Sequence, residues 1–98
     1  MKDKGALRKI KLSDILWIEA TGDYVKIFIA EKWFMLHSTL KMLEEKLPSQ
    51  KFLKVHRSYI IALDKIDYIE GGVIYINKMP VPLTETYKGT LFERLNMI

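Results

Sequence analysis

The 98-residue chain is long enough for one small domain, and its 16 lysines and arginines against 12 acidic residues give a formal net charge of +4. Hydrophobic residues make up 49% of the chain and charged residues 29%, which is typical of a globular protein and excludes a disordered one. The absence of cysteine excludes disulfides, thiolate metal sites and a cysteine nucleophile. The positive charge weakly favours an anionic partner, such as nucleic acid or a membrane surface.

Membrane and export signals are missing from the sequence. No apolar run approaches the roughly 20 residues that a membrane span needs. The N-terminal M-K-D-K-G is not followed by the apolar segment that a signal peptide requires. We therefore expect a cytoplasmic protein that has no membrane partner.

Short apolar segments separated by turn residues predict a mainly β domain. Leu7 to Leu12 alternates apolar and basic residues, and a second strand, I-L-W-I-E-A, follows Ser13-Asp14. The chain breaks at Thr21 to Asp23 and resumes as Y-V-K-I-F-I, and Glu31-Lys32 then turns it into W-F-M-L-H, so these two strands are predicted to form a hairpin. Alternation along Y-V-K-I-F-I predicts one face with Val25, Ile27 and Ile29 and an opposite face with Tyr24, Lys26 and Phe28.

Residues 38–47 change to a helical period, because Leu40, Leu43 and Leu47 recur three or four residues apart. The pattern predicts a helix of about three turns with Ser38 as its N-cap. Pro48 is expected to end it.

Strands resume at Phe52 and continue to the C-terminal region. F-L-K-V-H-R-S-Y-I-I-A-L and I-D-Y-I-E precede a turn at Gly71-Gly72, and Asn77-Lys78 is predicted to join the last two strands in a tight hairpin. Pro80 and Pro82 lack an amide donor, so the last strand is predicted to lie at a sheet edge. Thr84 is predicted to cap a final helix with one apolar face, formed by Tyr87, Leu91 and Leu95.

Patterns typical of an enzyme are absent from the sequence. His37 and His56 lack the spacing of metal ligands, and no glycine-rich phosphate loop occurs. Ser58 lies two residues from His56, but no third residue is placed to orient that histidine as a base. We expect neither catalysis nor a cofactor nor a metal.

Three short polar segments interrupt the apolar pattern. They are the first polar segment T-G-D-Y-V-K (21–26), the second H-R-S (56–58) and the third T-E-T-Y-K (84–88). Each has an ordinary structural interpretation, respectively a turn, a packed histidine beside a solvated arginine, and a helix cap. Together they offer hydroxyls, turn amides and cations, which are the groups that hold phosphates and contact base edges.

The chain resembles the LytTR-type DNA-binding domain, the output module of many bacterial response regulators. The resemblance covers Ile10 to about Leu95 and rests on four motifs in the family's order and spacing. They are D-I-L-W-I-E-A-T-G-D-Y-V-K-I, S-T-L-K-M-L-E-E-K-L, F-L-K-V-H-R-S-Y-I-I and M-P-V-P-L-T-E-T-Y. F-x-x-V-H-R-S-Y-I is the most specific of them.

The resemblance implies a fold and a mode of binding. The implied fold is mainly β, with about ten short strands in small antiparallel sheets, one internal short helix and a C-terminal helical segment. Such domains insert loops, not a recognition helix, into successive major grooves of double-stranded DNA to regulate transcription. The family's contacts fall on the three polar segments, at Tyr24, Val25, Lys26, Arg57, Ser58, Thr84, Thr86 and Tyr87.

Within this set, Arg57 is the expected base reader, because a guanidinium can bind guanine O6 and N7 together. The strand alternation places His56 opposite Arg57, which favours a structural hydrogen bond that holds the loop. Members of the family place a histidine near Val25 and an arginine near Glu85 or Thr86, and this chain departs from the family at both places. Glu85 is expected to point away from phosphate or to support the helix as a first-turn acid.

The family usually follows a receiver domain. We therefore expect residues 1–98 to be a single domain taken from a longer response regulator, which binds direct repeats in promoter DNA as a dimer formed through its receiver. A non-catalytic protein- or membrane-interaction module that kept the fold but lost DNA recognition is the main alternative. Binding of single-stranded RNA through Tyr24 and Phe28 is a third hypothesis.

Overall fold

The structure, a computed structural model, describes residues 2–3, 6–7 and 10–95, with side chains only in 10–95. Ten strands and two α-helices lie in these ranges, and all strand pairs are antiparallel. The strands are β1 Lys2–Asp3, β2 Ala6–Leu7, β3 Trp17–Thr21, β4 Tyr24–Phe28, β5 Trp33–Leu36, β6 Phe52–His56, β7 Tyr59–Ala62, β8 Tyr68–Glu70, β9 Val73–Ile76 and β10 Met79–Pro82. The helices are α1 Leu40–Lys46 and α2 Glu85–Leu95. The predicted fold class is confirmed.

The strands form a two-stranded sheet, β1-β2, a five-stranded sheet in the order β5-β4-β3-β7-β6, and a three-stranded sheet in the order β10-β9-β8. In the five-stranded sheet, Gly22-Asp23 joins β3 to β4, and Arg57-Ser58 joins β6 to β7. Gly22 has φ of 60°, a left-handed conformation that favours glycine in a tight turn. Because β3 pairs with β7 so that Glu19 lies opposite Tyr59, both turns are at the same end of this sheet.

The central strands β3 and β7 of the five-stranded sheet are packed on both faces, which explains why they are nearly continuous apolar runs. The edge strand β5 leaves Trp33 and Met35 exposed. One face, which includes Ile18 and Val25, packs against α1. The opposite face, which includes Trp17 and Ile61, packs against the three-stranded sheet and α2. The predicted alternation along β4 is confirmed, since Val25 and Phe28 belong to different core clusters.

Helix α1 is shorter than predicted and has a different cap. It has seven residues, and Thr39 is its N-cap, because the Thr39 hydroxyl accepts a hydrogen bond from the Met42 amide at 3.1 Å. The Ser38 hydroxyl instead donates to the Thr39 carbonyl at 3.3 Å. The prediction of Ser38 as the cap is wrong by one residue, because serine and threonine are both common N-caps and the two are adjacent here.

The predicted strand at Leu7 to Leu12 is only partly present. Strand β2 ends at Leu7, residues 8 and 9 lie outside the described residues, and Leu12–Asp14 forms a 3-10 helix. In this 3-10 helix, the Asp14 amide donates a hydrogen bond to the Lys11 carbonyl, and the Ile15 amide donates to the Leu12 carbonyl. The alternation of apolar residues was therefore misleading at its C-terminal end.

The hairpins of the C-terminal half are confirmed. Asn77 and Lys78 both have positive φ, of 52° and 68°, as the favoured two-residue hairpin turn requires. Strand β10 carries Pro80 and Pro82 and lies at the edge of its sheet, as predicted. In the parts of the chain that the structure describes, no helix is long and apolar enough to cross a membrane.

Candidate nucleic-acid interface

The second polar segment is a tight turn held by its own histidine. The Ser58 amide donates a hydrogen bond to Nδ1 of His56 at 3.0 Å. The imidazole thus binds the main chain two residues further on, as asparagine and aspartate side chains often do in turns. Because Nδ1 accepts this bond, the neutral ring carries its proton on Nε2. Arg57, between them, is exposed. The hydrogen bond predicted for His56 is present, and the turn presents the Arg57 side chain to solvent.

A bulge in β6 connects the second polar segment to the third. The register between β6 and β7 shifts between Lys54 and His56, so Val55 has no direct partner on β7. Its carbonyl accepts a hydrogen bond from the Thr84 amide at 3.0 Å. Thr84 precedes α2, and a main-chain bond therefore fixes the start of that helix beside the second polar segment.

A second main-chain bond connects the second polar segment to the first. The Ser58 carbonyl accepts a hydrogen bond from the Ala20 amide at 2.8 Å, and Ala20 lies one residue before the first polar segment. The three polar segments, which are far apart in sequence, are thus brought together along one edge of the domain. This edge is the candidate interface.

Behind the turn, the Tyr59 side chain packs against His56. The His56 and Tyr59 rings meet edge to face, with centroids 5.3 Å apart. Glu19, whose side chain is a carboxylate, lies directly opposite Tyr59 on the neighbouring strand. Burial and then this carboxylate raise the pKa of Tyr59 above its ordinary value of 10.0, because both disfavour the phenolate.

The first polar segment presents alternate side chains to the interface. Tyr24 is 44% exposed, and Lys26 is half-buried on the same strand face. Val25 is 0% exposed and belongs to the core, so its side chain has no surface to offer a partner. We therefore leave Val25 out of the proposed contacts. The alternation that separates Val25 from Tyr24 and Lys26 was already visible in the sequence.

The third polar segment forms the start of α2. The Thr84 carbonyl accepts a hydrogen bond from the Tyr87 amide at 2.9 Å, which closes the first turn. Thr86 is exposed, and Thr84 and Tyr87 are half-buried. Glu85 is exposed in the first turn of α2, where a negative side chain interacts favourably with the positive end of the helix dipole.

Two exposed rings near the first polar segment were not predicted as site residues. His37, directly after β5, meets the Tyr24 ring edge to face at a centroid distance of 5.0 Å. Trp33 is 47% exposed, and its ring lies under the Lys26 ammonium group. The alternation Trp33, Met35, His37, combined with the hairpin register, would have placed both rings on the Lys26 face.

Other kinds of site find little support in the described residues. Among them, no group of histidine, aspartate and glutamate side chains could hold a metal ion. A cavity of about 350 Å³ lies between the 3-10 helix at 12–14 and the start of β6, with Ile15 and Phe52 in its lining. None of the three polar segments contributes to that lining. The candidate interface therefore does not include this cavity.

Comparison with known proteins decides the family. The model of the LytTr DNA-binding domain matches residues 5–96. The chain belongs to this family. The matched region contains all three polar segments, so the surface described above is part of a LytTr DNA-binding domain.

Curated relatives of this LytTr domain are longer proteins. The sensory transduction protein LytT of Enterococcus faecalis is 30% identical over 90 residues, which cover 86% of this chain and 37% of that protein. LytT of Bacillus anthracis is 28% identical over 94 residues, which cover 90% of this chain and 38% of the relative. The chain thus spans less than two fifths of the length of either relative.

A solved structure shares the fold of this LytTr domain. A LytTr DNA-binding domain from a Bacillus cereus response regulator superimposes with a TM-score of 0.83, covering 98% of this chain and 94% of the other. The two sequences are 20% identical, so this likeness concerns the fold alone.

Replacing His56 with alanine is expected to destabilise the domain by about 1–2 kcal/mol, because the half-buried Ser58 amide loses its acceptor. Urea unfolding measures the change through the midpoint at constant slope. His37→Ala is the matched control, since His37 is exposed and is expected to cost less than about 0.5 kcal/mol. Equal midpoints for the two variants would show that the His56 bond does not hold the turn.

Proposed function

We propose that this LytTr domain is the DNA-binding part of a cytoplasmic bacterial response regulator, which binds specific promoter sequences and regulates transcription. The observation that carries the proposal is the pair of main-chain hydrogen bonds, Ala20 to Ser58 and Thr84 to Val55, that unites the three polar segments. Loops and a helix start on one edge can enter successive grooves of a duplex only if their relative positions are fixed.

In this proposal the residues have different roles. Arg57, exposed on a supported turn, contacts a base edge in the major groove, where a guanidinium is the commonest specific donor. Lys26 neutralises a backbone phosphate. Tyr24 contributes to the contact made by the first polar segment, and Ser58 to the contact made by the second. The third polar segment, at the start of α2, contributes Thr84, Thr86 and Tyr87. Hydroxyls and main-chain amides at such positions set the register of a protein on its site.

The arrangement on DNA is also a proposal. We infer that two copies bind direct repeats, and that a receiver domain in the longer protein pairs them. A single module buries little surface on DNA, so pairing would raise both affinity and selectivity. Joining two copies through a heterologous dimerisation segment and measuring affinity for one and two repeats tests this inference. Equal affinity for the two duplexes would contradict it.

Selection of duplexes from a random library by the domain, followed by fluorescence anisotropy of an enriched duplex, tests the DNA-binding proposal. An enriched motif is expected, together with a logarithmic salt slope of about −0.9 for each neutralised phosphate. Three such phosphates correspond to a loss of affinity of roughly 40-fold between 50 and 200 mM salt. Two copies joined through the heterologous dimerisation segment, called the forced dimer, serve as a second sample if one domain binds weakly. No enrichment by either sample would contradict the proposal.

A protein-interaction module is the second candidate function, favoured by the exposed apolar side chains of Trp33 and Met35 on one strand. It predicts no enriched motif and no steep salt dependence. The selection experiment therefore separates the two functions directly.

A further inference from the structure

Lys26 and Trp33 form a cation–π pair on the sheet face that continues from the first polar segment. The Lys26 Nζ atom lies 4.7 Å from the Trp33 ring centroid, inside the roughly 6 Å range of this interaction. In the register of β4 and β5, Trp33 is opposite Phe28 and is therefore a diagonal neighbour of Lys26. The strand pairing thus brings the two side chains together.

Three aromatic rings in successive contact connect Trp33 to the core. Trp17, which is 5% exposed, stacks on Phe28 with a centroid distance of 4.4 Å and an interplanar angle of 17°. Phe28 meets Trp33 at 6.3 Å in a tilted arrangement. The ring under the Lys26 ammonium is therefore attached to the packed interior.

The Lys26–Trp33 pair lies on the same sheet face as Tyr24, which is a proposed DNA contact. Tyr24 lies two residues before Lys26 on the same strand face and is 44% exposed at the candidate interface. Trp33 leaves 47% of its surface in solvent although it contacts the packed ring of Phe28. The exposed indole has a clear use if it orders the ammonium group of Lys26, the last residue of the first polar segment.

We propose that Trp33 is a positioning residue for phosphate binding, which holds the Lys26 ammonium where the DNA backbone passes the first polar segment. This inference rests on the proposed DNA-binding function. A lysine side chain loses rotamer freedom when it is fixed on a phosphate. A ring that orders the ammonium beforehand reduces that loss on binding.

Anisotropy titrations with a duplex enriched by the wild-type domain, at several salt concentrations, test the role of Trp33. Lys26→Met is expected to lower affinity and to reduce the salt slope by about 0.9. Trp33→Leu is expected to weaken binding about two- to fivefold while the slope stays near that of the wild type, because the charge remains. Trp33→Phe is expected to lie between wild type and Trp33→Leu, since phenylalanine binds cations less well than tryptophan.

The double variant Lys26→Met/Trp33→Leu is expected to bind like Lys26→Met alone, because Trp33 acts through Lys26. Lys32→Met is the matched control. Its ammonium lies over the Phe34 ring at 5.4 Å. Phe34 pairs with Ile27, on the opposite face of the sheet from Lys26, so the loss of the Lys32 charge is expected to change the slope little. Thermal melts verify that each variant is folded.

The outcomes separate the two proposals. No salt-dependent binding by the wild-type domain or its forced dimer would contradict the DNA-binding function itself. Wild-type binding with a lowered slope for Lys26→Met, but unchanged or tighter binding for Trp33→Leu, would overturn only the role of Trp33. Full additivity of the two substitutions would overturn it as well.

Discussion

Replacing Arg57 with alanine is expected to weaken binding to the selected duplex by roughly 1–3 kcal/mol and to relax the preference at one base pair. Arg57 is exposed at the tip of the β6–β7 turn, where His56 and the Ala20 amide fix the main chain on either side of it. A guanidinium held in this way can donate two parallel hydrogen bonds to one guanine. Titration against the selected duplex and its single-base variants measures both effects.

Arg57→Lys is the informative control for this prediction. Lysine keeps the charge but cannot reproduce the planar pair of donors, so the salt slope should persist while the base preference is lost. An Arg57→Ala variant that keeps both affinity and preference would show that the β6–β7 turn does not read bases.

Replacing Ile61 with alanine is expected to lower the free energy of unfolding by about 2–5 kcal/mol. Ile61 is 0% exposed in β7, where the five-stranded sheet packs against the three-stranded sheet and α2. Domains of this size have a total stability of only about 5–15 kcal/mol. Urea unfolding monitored by tryptophan fluorescence measures the loss, and the variant is expected to be partly unfolded at 37 °C.

Two further substitutions calibrate the Ile61 prediction. Ile61→Val removes one methylene and is expected to cost about 0.5–1.5 kcal/mol. Met42→Ala, on the exposed side of α1, is expected to change stability by less than about 0.5 kcal/mol. A cost for Ile61→Ala no greater than that of Met42→Ala would mean that this core does not join the two sheets.

The core around Ile61, between the five-stranded sheet and the three-stranded sheet with α2, also supports the candidate interface. The first and second polar segments belong to the five-stranded sheet, whereas the third begins α2 on the other side of this core. Loosening the core should therefore weaken DNA binding at temperatures where the domain is still mostly folded. Arg57→Ala should weaken binding without changing the unfolding midpoint, which distinguishes the two variants.

Local features of the fold followed well from the sequence. Asn77-Lys78 and Gly71-Gly72 specify their turns through residues that tolerate positive φ, and Pro80 and Pro82 specify an edge strand. Each of these signals depends on the chemistry of one or two residues. Where two neighbours can both serve as N-cap, as Ser38 and Thr39 can, the sequence pattern did not identify the one that the structure uses.

Features that depend on distant pairing were less accessible. The sequence indicated three polar segments, and only the resemblance to the family joined them into one contact surface. The hydrogen bond from Thr84 to Val55 joins the residue before α2 to a strand of the five-stranded sheet, and it depends on a bulge that no local motif indicates. The pairing of Lys26 with Trp33 depends on the hairpin register in the same way.

The main-chain bonds that join the three polar segments have an evolutionary consequence. Because Ala20, Ser58, Val55 and Thr84 hold the segments through amides and carbonyls, the geometry of the edge does not depend on which side chains point outward from it. Residues such as Arg57 and Thr86 can therefore be exchanged while the frame stays intact. Paralogous regulators could diverge in operator preference by few substitutions, and a library randomised at these outward positions should yield new specificities on an unchanged scaffold.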